Sequence, residues 1–467
     1  MNYHSTRGKD RGISFDNVLL TGLARDGGLF LPEQWPTFSK ADLITLIGLP
    51  YHQLAIRVME PFLNGTICES DFIDIVTETY AEFDHIAVAP LKQLGNNDWL
   101  LELFHGPTLS FKDYALQLLG RLFDYFLIKR CQRVTIVGAT SGDTGSASIE
   151  ACKNRTSINV IIIHPKGRIS EVQRRQMTTV IASNIHNIAL DGTFDDCQDI
   201  VKAMLNDQMF REQLHLSVVN SINWTRIMAQ IVYYFAAGLA LGAPHVPISF
   251  AVPTGNFGNV YAAFVARRMG LPISQLIVGS NSNDILTRFF ETGKMSINAV
   301  IPTLSPSMDI QISSNFERYL FYLFNEDGKR VLDFMMKFRQ ERQFEVSEIT
   351  KTTISNLFQG YRLSDKETIE IMYKLYQETG ELIDPHSAIG VAAGRRANRC
   401  SKITPMIALA TAHAAKFPDV VEVATGVRPI LPKRLNDLFN LHEQYEVLPN
   451  DLEIVKDYVK QVSEVKI

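Results

Sequence analysis

From about residue 90 onward, short apolar and β-branched runs alternate with stretches whose apolar residues recur at helical spacing. Each apolar run ends in small or polar residues, and a helical pattern follows it. Apolar strands separated by helices are typical of parallel sheets covered on both faces. The pattern therefore predicts an α/β fold with doubly wound, parallel or mixed sheets, and the predicted strands are Val134–Val137, Val160–Ile163, Leu216–Val219, Ile248–Val252, Leu276–Gly279 and Met406–Ala410.

Two other parts of the chain have a different pattern. Residues 1–90 carry short elements separated by turns, and they are predicted to form an N-terminal domain or lobe. Between about residues 315 and 380 the strands stop, and charged amphipathic stretches follow one another. This change predicts a helical insertion over residues 315–380, with its clearest helices at Gly328–Arg342 and Asp365–Gln377.

Composition and charge limit which partners and which cellular compartment are expected for this chain. The net charge of −4 over 467 residues offers no basic excess to neutralise a phosphate backbone, so a nucleic-acid partner is not expected. The longest apolar stretch, Ile231–Ala243, is too short to span a bilayer, and no signal pattern opens the chain, so no membrane association is expected. An odd number of widely spaced cysteines favours a reducing compartment, and we expect a cytoplasmic protein: Cys68, Cys131, Cys152, Cys197 and Cys400.

Ligands of open α/β sheets collect where strands end and helices begin, so the strand-to-helix turns are the segments to inspect. The turn Thr254–Asn259 follows the apolar run Ile248–Val252 and contains two glycines. Such a turn at a helix N-terminus can hold a phosphate with backbone amides alone. The alternative is a glycine turn that only joins strand to helix. The segment matches neither a dinucleotide nor a nucleoside triphosphate motif.

Two further segments could carry chemistry. Gly138–Gly145 follows the strand Val134–Val137 and offers hydroxyls and amides for a carboxylate or phosphate, although the same residues could be ordinary helix caps. In His105–Asp113, Pro107 with Thr108 or Ser110 marks a helix start, which places Lys112 in or near a first turn. The helix dipole and partial burial would lower the pKa of that amine, which suits an imine-forming base. The alternative is a solvated surface lysine.

These three segments, in this order, resemble threonine synthases, which are pyridoxal phosphate (PLP) enzymes with the fold of the tryptophan synthase β subunit, PLP fold type II. The resemblance covers nearly the whole chain, from Gly27–Pro32 to Ala410–Phe417. It implies that Lys112 is the catalytic lysine that binds PLP as an imine. It also implies that the cofactor phosphate is held by Gly255, Asn256, Phe257, Gly258 and Asn259.

The resemblance assigns two further residues to the cofactor. Thr411, at the end of the strand Met406–Ala410, matches the hydroxyl partner of the pyridine nitrogen, and its alternative is an ordinary strand-end threonine. Asp143 stands where many relatives have an asparagine that donates to the phenolic oxygen of PLP. An ionised aspartate cannot donate, so the role of Asp143 stays open.

The segment Asn220–Arg226 is similar to the family's substrate-phosphate motif. Asn220, Ser221 and Arg226 are implied phosphate contacts, and arginine suits this task because its planar fork donates two hydrogen bonds. The alternative for Arg226 is a buried ion pair. The remaining implied substrate contacts bind the carboxylate or share the phosphate, and the sequence does not divide these duties between Thr140, Ser141 and Thr144.

The resemblance implies the conversion of O-phosphohomoserine and water into threonine and phosphate, with Lys112 as the base. It also implies a catalytic domain over residues 91–467, with a smaller mobile lobe over about 110–215, in a monomer or homodimer. Two alternatives use the same fold: an amino-acid dehydratase or phospho-lyase, and a non-catalytic PLP-binding protein. A metal hydrolase is disfavoured because no closely spaced ligand set appears, and no metal is expected.

Overall fold

The computed structural model describes residues 1–63, 65–140, 142–218, 220–397 and 404–464. Strands and helices alternate along most of this length. The strands are β1 Asn2–Ser5, β2 Ile13–Ser14, β3 Phe30–Pro32, β4 Leu91–Gly95, β5 Asp98–Glu102, β6 Val134–Ala139, β7 Ile158–Pro165, β8 Ile185–Asp191, β9 Leu216–Ser217, β10 Ile248–Pro253, β11 Ile273–Ser280, β12 Lys294–Ser296, β13 Gln343–Glu345, β14 Phe358–Arg362, β15 Met406–Ala410 and β16 Glu446–Pro449. The helices are α1 Phe15–Thr21, α2 Lys40–Thr45, α3 Tyr51–Leu63, α4 Glu69–Ala81, α5 Lys112–Lys129, α6 Asp143–Cys152, α7 Glu171–Thr178, α8 Phe194–Asn206, α9 Gln208–Gln213, α10 Trp224–Ala240, α11 Gly258–Arg268, α12 Ile285–Thr292, α13 Phe316–Leu323, α14 Gly328–Glu341, α15 Glu348–Ser355, α16 Asp365–Thr379, α17 Pro385–Ala397, α18 Pro418–Thr425 and α19 Leu452–Glu464.

The chain divides into two compact units. The first unit is formed by Met1–His105, Ser221–Ala414 and Pro418–Pro429. The second unit is formed by Gly106–Asn220, Ala415–Phe417 and Ile430–Ile467. Each unit is therefore assembled from segments distant in the sequence. The domain boundaries expected from the sequence, at residue 90 and around the lobe at about 110–215, stay predictions.

The first unit is built on a six-stranded sheet with the order β14-β11-β10-β15-β5-β4. The neighbouring strands are parallel except for the edge strand β4, which pairs antiparallel with β5. All six residues of β10 are buried, so both faces of this strand are covered. The carboxyl ends of β10 and β15 lead directly to Thr254 and Thr411, respectively. The sheet thus presents two of the predicted site segments.

The second unit is built on a five-stranded, parallel sheet with the order β16-β8-β7-β6-β9. All eight residues of β7 are buried, as expected for a strand covered on both faces. Val455 and Val459 of the C-terminal helix α19 are fully buried in the core beside this sheet. The carboxyl end of β6 leads into the turn that opens α6 with Asp143.

The predicted α/β fold with parallel and mixed sheets is confirmed, and every predicted strand overlaps an observed one. The predicted strand Leu216–Val219 is observed as β9, and Val219 lies outside the described residues. The expectation that strands stop between residues 315 and 380 is wrong. β13 pairs with β12, and β14 extends the six-stranded sheet beside β11. β14 is an edge strand with one fully buried residue, Phe358, so its sequence carries only a weak apolar signal.

Two other features bear on the expected compartment. Of the helices in the described ranges, none combines the length and apolar character that a membrane crossing requires. Four cysteines in the described ranges are free thiols, and Cys400 lies outside those ranges.

Candidate active site

Lys112 is the first residue of α5 in the second unit, as the position of Pro107 predicted. The turn before it is tight. A Cβ on Gly106 would lie 2.5 Å from the Asp113 Cβ, so only glycine fits there. The Thr108 amide and hydroxyl both donate to the Asp113 carboxylate, at 2.8 and 2.7 Å. These bonds close the turn and fix the point at which α5 begins.

The side chain of Lys112 is buried, with a relative exposure of 10%. Its Nζ lies 3.2 Å from the Oδ2 of Asp143 and donates to it. A surface lysine would extend its ammonium into water, so the alternative of a solvated lysine is excluded. Burial beside a carboxylate is the environment in which a lysine amine is held in one place.

Asp143 is the first residue of α6, after the sharply turned Gly142, whose φ is +133°. Asp143 Oδ1 accepts a hydrogen bond from Gln173 Nε2 at 2.8 Å and forms an ion pair with Lys416 Nζ at 3.0 Å. Asp143 Oδ2 faces Lys112. The carboxylate therefore contacts side chains of three separate segments, all of which lie in the second unit.

Lys416 and Gln173 were not identified as site residues from the sequence. Lys416 lies inside the resemblance segment Ala410–Phe417, and its side chain has a relative exposure of 0%. Lys416 stands between the apolar residues Ala415 and Phe417, which indicates that the lysine is buried. The sequence does not reveal which residue pairs with it. The partner is set by folding, because Asp143 lies 273 residues earlier.

The Gly138–Gly145 turn shows the helix-cap geometry that the sequence left open. Thr140 Oγ1 accepts from the amides of Gly142 at 3.0 Å and Gly145 at 2.9 Å. Thr144 is half-buried, and its carbonyl accepts from Ser148 Oγ. Ser141 lies outside the described residues. The substrate-binding roles assigned to these three residues stay predictions.

The predicted phosphate turn follows β10 in the first unit, and α11 begins at Gly258. Phe257 precedes this helix in the left-handed conformation, with a φ of +62°. A bulky residue in that conformation costs on the order of 1–3 kcal/mol and persists only where its surroundings fix it. The Phe257 ring is 1% exposed and packs edge-on against Phe316 with 5.0 Å between ring centroids. The turn is therefore held in one shape.

A second segment of the first unit fixes the carbonyls of this turn. Ser313 Oγ donates to the Gly255 carbonyl at 2.8 Å, and Asn315 Nδ2 donates to the Asn256 carbonyl at 3.0 Å. A Cβ on Gly255 would lie 3.1 Å from the Cα of Met308. Any other residue would push this backbone apart, so the close approach requires glycine.

Asn259 carries an unused donor in this turn. Its Oδ1 accepts from the hydroxyls of Tyr233 and Tyr234, at 2.6 and 2.7 Å. These bonds fix the orientation of the amide. The Asn259 Nδ2 is buried and has no hydrogen-bond partner among the described residues. A buried donor without a partner is unfavourable, so its position fits a ligand with oxygen acceptors.

The predicted substrate-phosphate segment leads into α10. Arg226 is 5% exposed, and its Nε is buried without a hydrogen-bond partner among the described residues. Burial lowers the pKa of its guanidinium to about 10. No described acidic side chain pairs with it, so the alternative of a buried ion pair is not observed. Ser221 Oγ lies 3.1 Å from Ser314 Oγ in the first unit, and Asn220 is half-buried in the second.

Thr411 follows β15 and is buried. Its amide donates to Ser387 Oγ at 3.1 Å, and that hydroxyl in turn donates to Asp384. Asp384 Oδ2 also lies 2.7 Å from His386 Nδ1. Sequence reasoning gave no role to Asp384 or Ser387. The structure shows that they fix the backbone at Thr411.

Family comparisons cover almost the whole chain. The model "Threonine synthase N terminus" matches residues 2–80, "Pyridoxal-phosphate dependent enzyme" matches residues 83–335, and "Threonine synthase, C-terminal" matches residues 387–459. The threonine synthase of Pseudomonas aeruginosa is 54% identical to this chain, and the match covers 99% of the chain and 98% of that protein. The chain belongs to the threonine synthase family. The predicted family, fold and cofactor are thereby confirmed, and the chain is a PLP-dependent enzyme.

Solved structures agree with this assignment. The structure of PLP-bound threonine synthase from Brucella melitensis has a TM-score of 0.97 and 50% identity, and covers 100% of both chains. The threonine synthase from yeast has a TM-score of 0.94 and 38% identity, and covers 99% of this chain and 98% of its own. The fold therefore matches threonine synthases over its full length.

The residues present fit PLP. Lys112 supplies a buried primary amine of the kind that joins an aldehyde. The turn at Gly255 leaves no room for a Cβ, and Asn259 adds a buried donor without a partner in the described parts of the chain. The turn at Gly255, the Asn259 side chain and the N-terminus of α11 together provide the hydrogen-bond donors that a phosphate requires.

Proposed function

We propose that this chain converts O-phospho-L-homoserine and water into L-threonine and inorganic phosphate, by elimination of phosphate from the γ carbon and addition of water at the β carbon. Membership of the threonine synthase family over the full length supports this proposal. The observation that carries it is the buried Lys112 at the start of α5, with its Nζ held on Asp143. PLP, when bound, supplies an electron sink for the charge that develops on the substrate.

Lys112 is proposed to move the protons of the reaction. Its Nζ takes a proton from the α carbon of the substrate, and the same nitrogen returns a proton there before the product leaves. Asp143 Oδ2 accepts a hydrogen bond from this nitrogen at 3.2 Å. We propose that this bond holds the amine in place between proton transfers.

Arg226 is proposed to bind the phosphate of the substrate. Its guanidinium is buried, its Nε lacks a hydrogen-bond partner in the described ranges, and no described carboxylate neutralises it. A buried cation in this condition is stabilised by an anionic ligand, and a phosphate accepts both prongs of an arginine fork. Asn220 and Ser221 are proposed as further phosphate contacts. The carboxylate of the substrate is assigned to the hydroxyls of Thr140, Ser141 and Thr144.

The turn from Gly255 to Asn259 is proposed to hold the phosphate of PLP, with Asn256, Phe257 and Gly258 contributing to the turn. Thr411 is proposed as the partner of the pyridine nitrogen. Its support is the backbone bond from Thr411 to Ser387, which fixes the position of the threonine. Asp143 is proposed to act as an acceptor at the cofactor site, because three donors already surround its carboxylate.

Product analysis tests the proposed reaction. The PLP-loaded protein is incubated with O-phosphohomoserine, and threonine, phosphate and 2-oxobutyrate are measured together. We expect threonine and phosphate in equal amounts. Formation of 2-oxobutyrate in place of threonine would contradict the proposal and would indicate a phospho-lyase of the same fold.

The variant Lys112→Ala tests the residue that carries the proposal. General acid–base catalysis alone contributes about 10²–10⁴-fold, so we expect turnover to fall by about 10³-fold or more. The visible absorbance of the PLP-loaded protein should be lost at the same time. Lys153→Ala in the same unit, a half-exposed lysine, is the control and should retain both. An active Lys112→Ala protein with an unchanged spectrum would refute the assignment.

Location in the cytoplasm and a monomeric or homodimeric state are proposals that rest on the sequence. The free cysteines among the described residues are compatible with a reducing compartment. Light scattering on the purified protein measures the oligomeric state directly.

A further inference from the structure

Lys416 is a fully buried lysine that the proposed reaction does not yet use. It ends the short 3-10 turn Ala414–Lys416 and has a relative exposure of 0%. Burial of an ammonium is strongly unfavourable unless the charge is paired and hydrogen-bonded. The contacts of Lys416 meet this condition and point to its role.

The ammonium of Lys416 has three oxygen neighbours in the second unit. It donates hydrogen bonds to the Thr108 carbonyl at 2.6 Å and to Gln176 Oε1 at 2.8 Å, and it forms an ion pair with Asp143 Oδ1 at 3.0 Å. Thr108 belongs to the turn that opens α5, and Asp143 opens α6. Lys416 therefore contacts the starts of both helices, the one that carries Lys112 and the one that carries Asp143.

The contacts of Asp143 show how Lys416 affects the orientation of its carboxylate. Its Oδ1 is occupied by Gln173 Nε2 and Lys416 Nζ, at 2.8 and 3.0 Å. A carboxylate with one oxygen held by a hydrogen bond and an ion pair does not rotate freely. Its Oδ2 is consequently held toward Lys112 Nζ, at 3.2 Å.

Lys416 also takes no part in the proposed proton transfers. In the proposed reaction Lys112 gains and loses protons, so it cannot neutralise Asp143 at every step. On α5 the charged groups beside this cluster are Lys112 and Asp113, and α7 presents the neutral amides of Gln173 and Gln176. The charged residues of α7 have other partners: Arg174 pairs with Glu443, and Arg175 with Glu171.

We propose that Lys416 is a positioning residue: its ammonium keeps Asp143 ionised and holds Asp143 Oδ2 against Lys112 Nζ throughout the reaction. The inference rests on the proposed function, because Lys112 is taken there as the base. It identifies a role for Asp143, which the sequence left open. Asp143 and Lys416 act as a pair whose charges balance, so the carboxylate can accept a hydrogen bond without carrying a net charge into the buried cluster.

The test is the pH dependence of Lys416→Met. Two quantities are measured: kcat/KM with O-phosphohomoserine, and the visible absorbance of the PLP-loaded protein. Without the cation, Asp143 takes up a proton at higher pH. The acid-side midpoint of both profiles should therefore rise by about 1–3 pH units, the range over which a neighbouring opposite charge shifts a carboxyl pKa. A packing role alone would not move either midpoint.

Matched variants complete the design. Lys456→Met removes another lysine–aspartate pair of the second unit and should keep the wild-type midpoints. The double variant Asp143→Asn, Lys416→Met should have the midpoints of Asp143→Asn alone. If Lys416→Met does not fold, Lys416→Gln decides the question, because it keeps a hydrogen-bond donor but removes the charge, and its midpoints should rise as predicted for Lys416→Met.

Three outcomes would overturn the inference: a folded, PLP-loaded Lys416→Met with wild-type midpoints, a folded Lys416→Gln with wild-type midpoints, or a double variant whose midpoints differ from those of Asp143→Asn. Failure of the proposed function is recognised separately. If the wild-type protein forms 2-oxobutyrate and no threonine, the proposed reaction is wrong, while the spectral midpoints still test the role of Lys416.

Discussion

Two buried carboxylates of the second unit are held in different ways. Asp143 faces the ammonium groups of Lys112 and Lys416, at 3.2 and 3.0 Å. Asp113 is fully buried and instead accepts from the neutral amide and hydroxyl of Thr108. Burial raises the pKa of Asp113 to about 6, although the Thr108 bonds and the charge of Lys416 oppose the rise. The same residue type thus pairs with two lysines at one position and serves as a turn residue at the other.

The raised pKa of Asp113 gives the first prediction. The folded protein keeps the Asp113 proton up to about pH 6, while the unfolded chain loses it near its ordinary pKa of 3.8. The free energy of unfolding should therefore fall by about 3 kcal/mol from this group as the pH rises from about 4 to about 6. Asp113→Asn lacks this titration. The stability difference, wild type minus variant, should fall over that window and stay constant above it, as measured by urea unfolding at each pH.

Asp42→Asn is a control of opposite sign. Hydrogen bonds from the side chain and amide of Ser39 lower the pKa of Asp42. Its contribution to stability is present above the pKa of the unfolded chain and is lost as the pH falls through the folded-state pKa. The wild-type-minus-variant difference should thus increase with pH at this position. A pH-independent difference for Asp113→Asn would contradict the first prediction.

At the scale of elements, the site is built at junctions between strands and helices. The turn after β10 needs a glycine at 255 because of the neighbouring Met308 backbone, and it needs a buried Phe257 to hold a left-handed conformation. The turn before α6 needs Gly142, since a Cβ there would lie 2.6 Å from Gln173 Cδ. In each case, packing against another element fixes the backbone.

Gly255→Ala tests the turn after β10. The added Cβ would lie 3.1 Å from Met308 Cα, so one of the two backbones must shift by a few tenths of an ångström. We expect PLP to bind about 10–100-fold more weakly, which corresponds to the loss of one or two hydrogen bonds to a charged group. The measurement is an equilibrium titration of the cofactor-free protein with PLP.

Gly95→Ala is the matched control, because its added Cβ would make only an ordinary 3.8 Å contact with Asp98 Cβ. This variant should bind PLP as the wild type does. Equal affinities for the Gly255 and Gly95 variants would show that the close approach at Gly255 does not determine cofactor binding.

At the scale of the whole molecule, the early residues of the chain are held to the first unit by a buried ion pair. Arg7 donates to both oxygens of Glu317 on α13, at 3.0 and 2.8 Å, and Thr6 Oγ1 also donates to that carboxylate at 2.6 Å. The two side chains are 7% and 4% exposed. This contact joins positions 310 residues apart, so it depends on the complete fold of the unit.

Glu317→Ala should destabilise the protein by about 3–5 kcal/mol, because it leaves the Arg7 guanidinium buried without its partner. Urea unfolding followed by tryptophan fluorescence measures the loss. Trp224 is a suitable reporter, since its ring lies 6.1 Å from that of Tyr3 in β1.

The double variant Arg7→Met, Glu317→Leu removes both charges and should be less destabilised than Glu317→Ala. Glu422→Ala removes one of the two acidic partners of the exposed Arg428 and should have no measurable effect. The prediction would be contradicted if Glu317→Ala lowered the free energy of unfolding by no more than Glu422→Ala does.

The sequence by itself determined the fold class, the family and the cofactor. Apolar runs such as those at β7 and β10 are long and buried on both faces, so their pattern is strong. The start of α5 at Lys112 was also predictable, because the turn residues that fix it are local. The edge strand β14 was missed, since it buries too few side chains to leave an apolar pattern.

The tertiary structure alone decided how the charged groups are paired. Lys112, Asp143 and Lys416 are separated by 31 and 273 residues, and no local pattern connects them. Their contact follows from the order of the strands and from helix packing within the second unit. The same holds for Arg226, whose lack of an acidic partner among the described residues is visible only once its surroundings are known. Local chemistry specifies helix starts and turns, whereas the burial and pairing of a charge depend on residues that folding brings close.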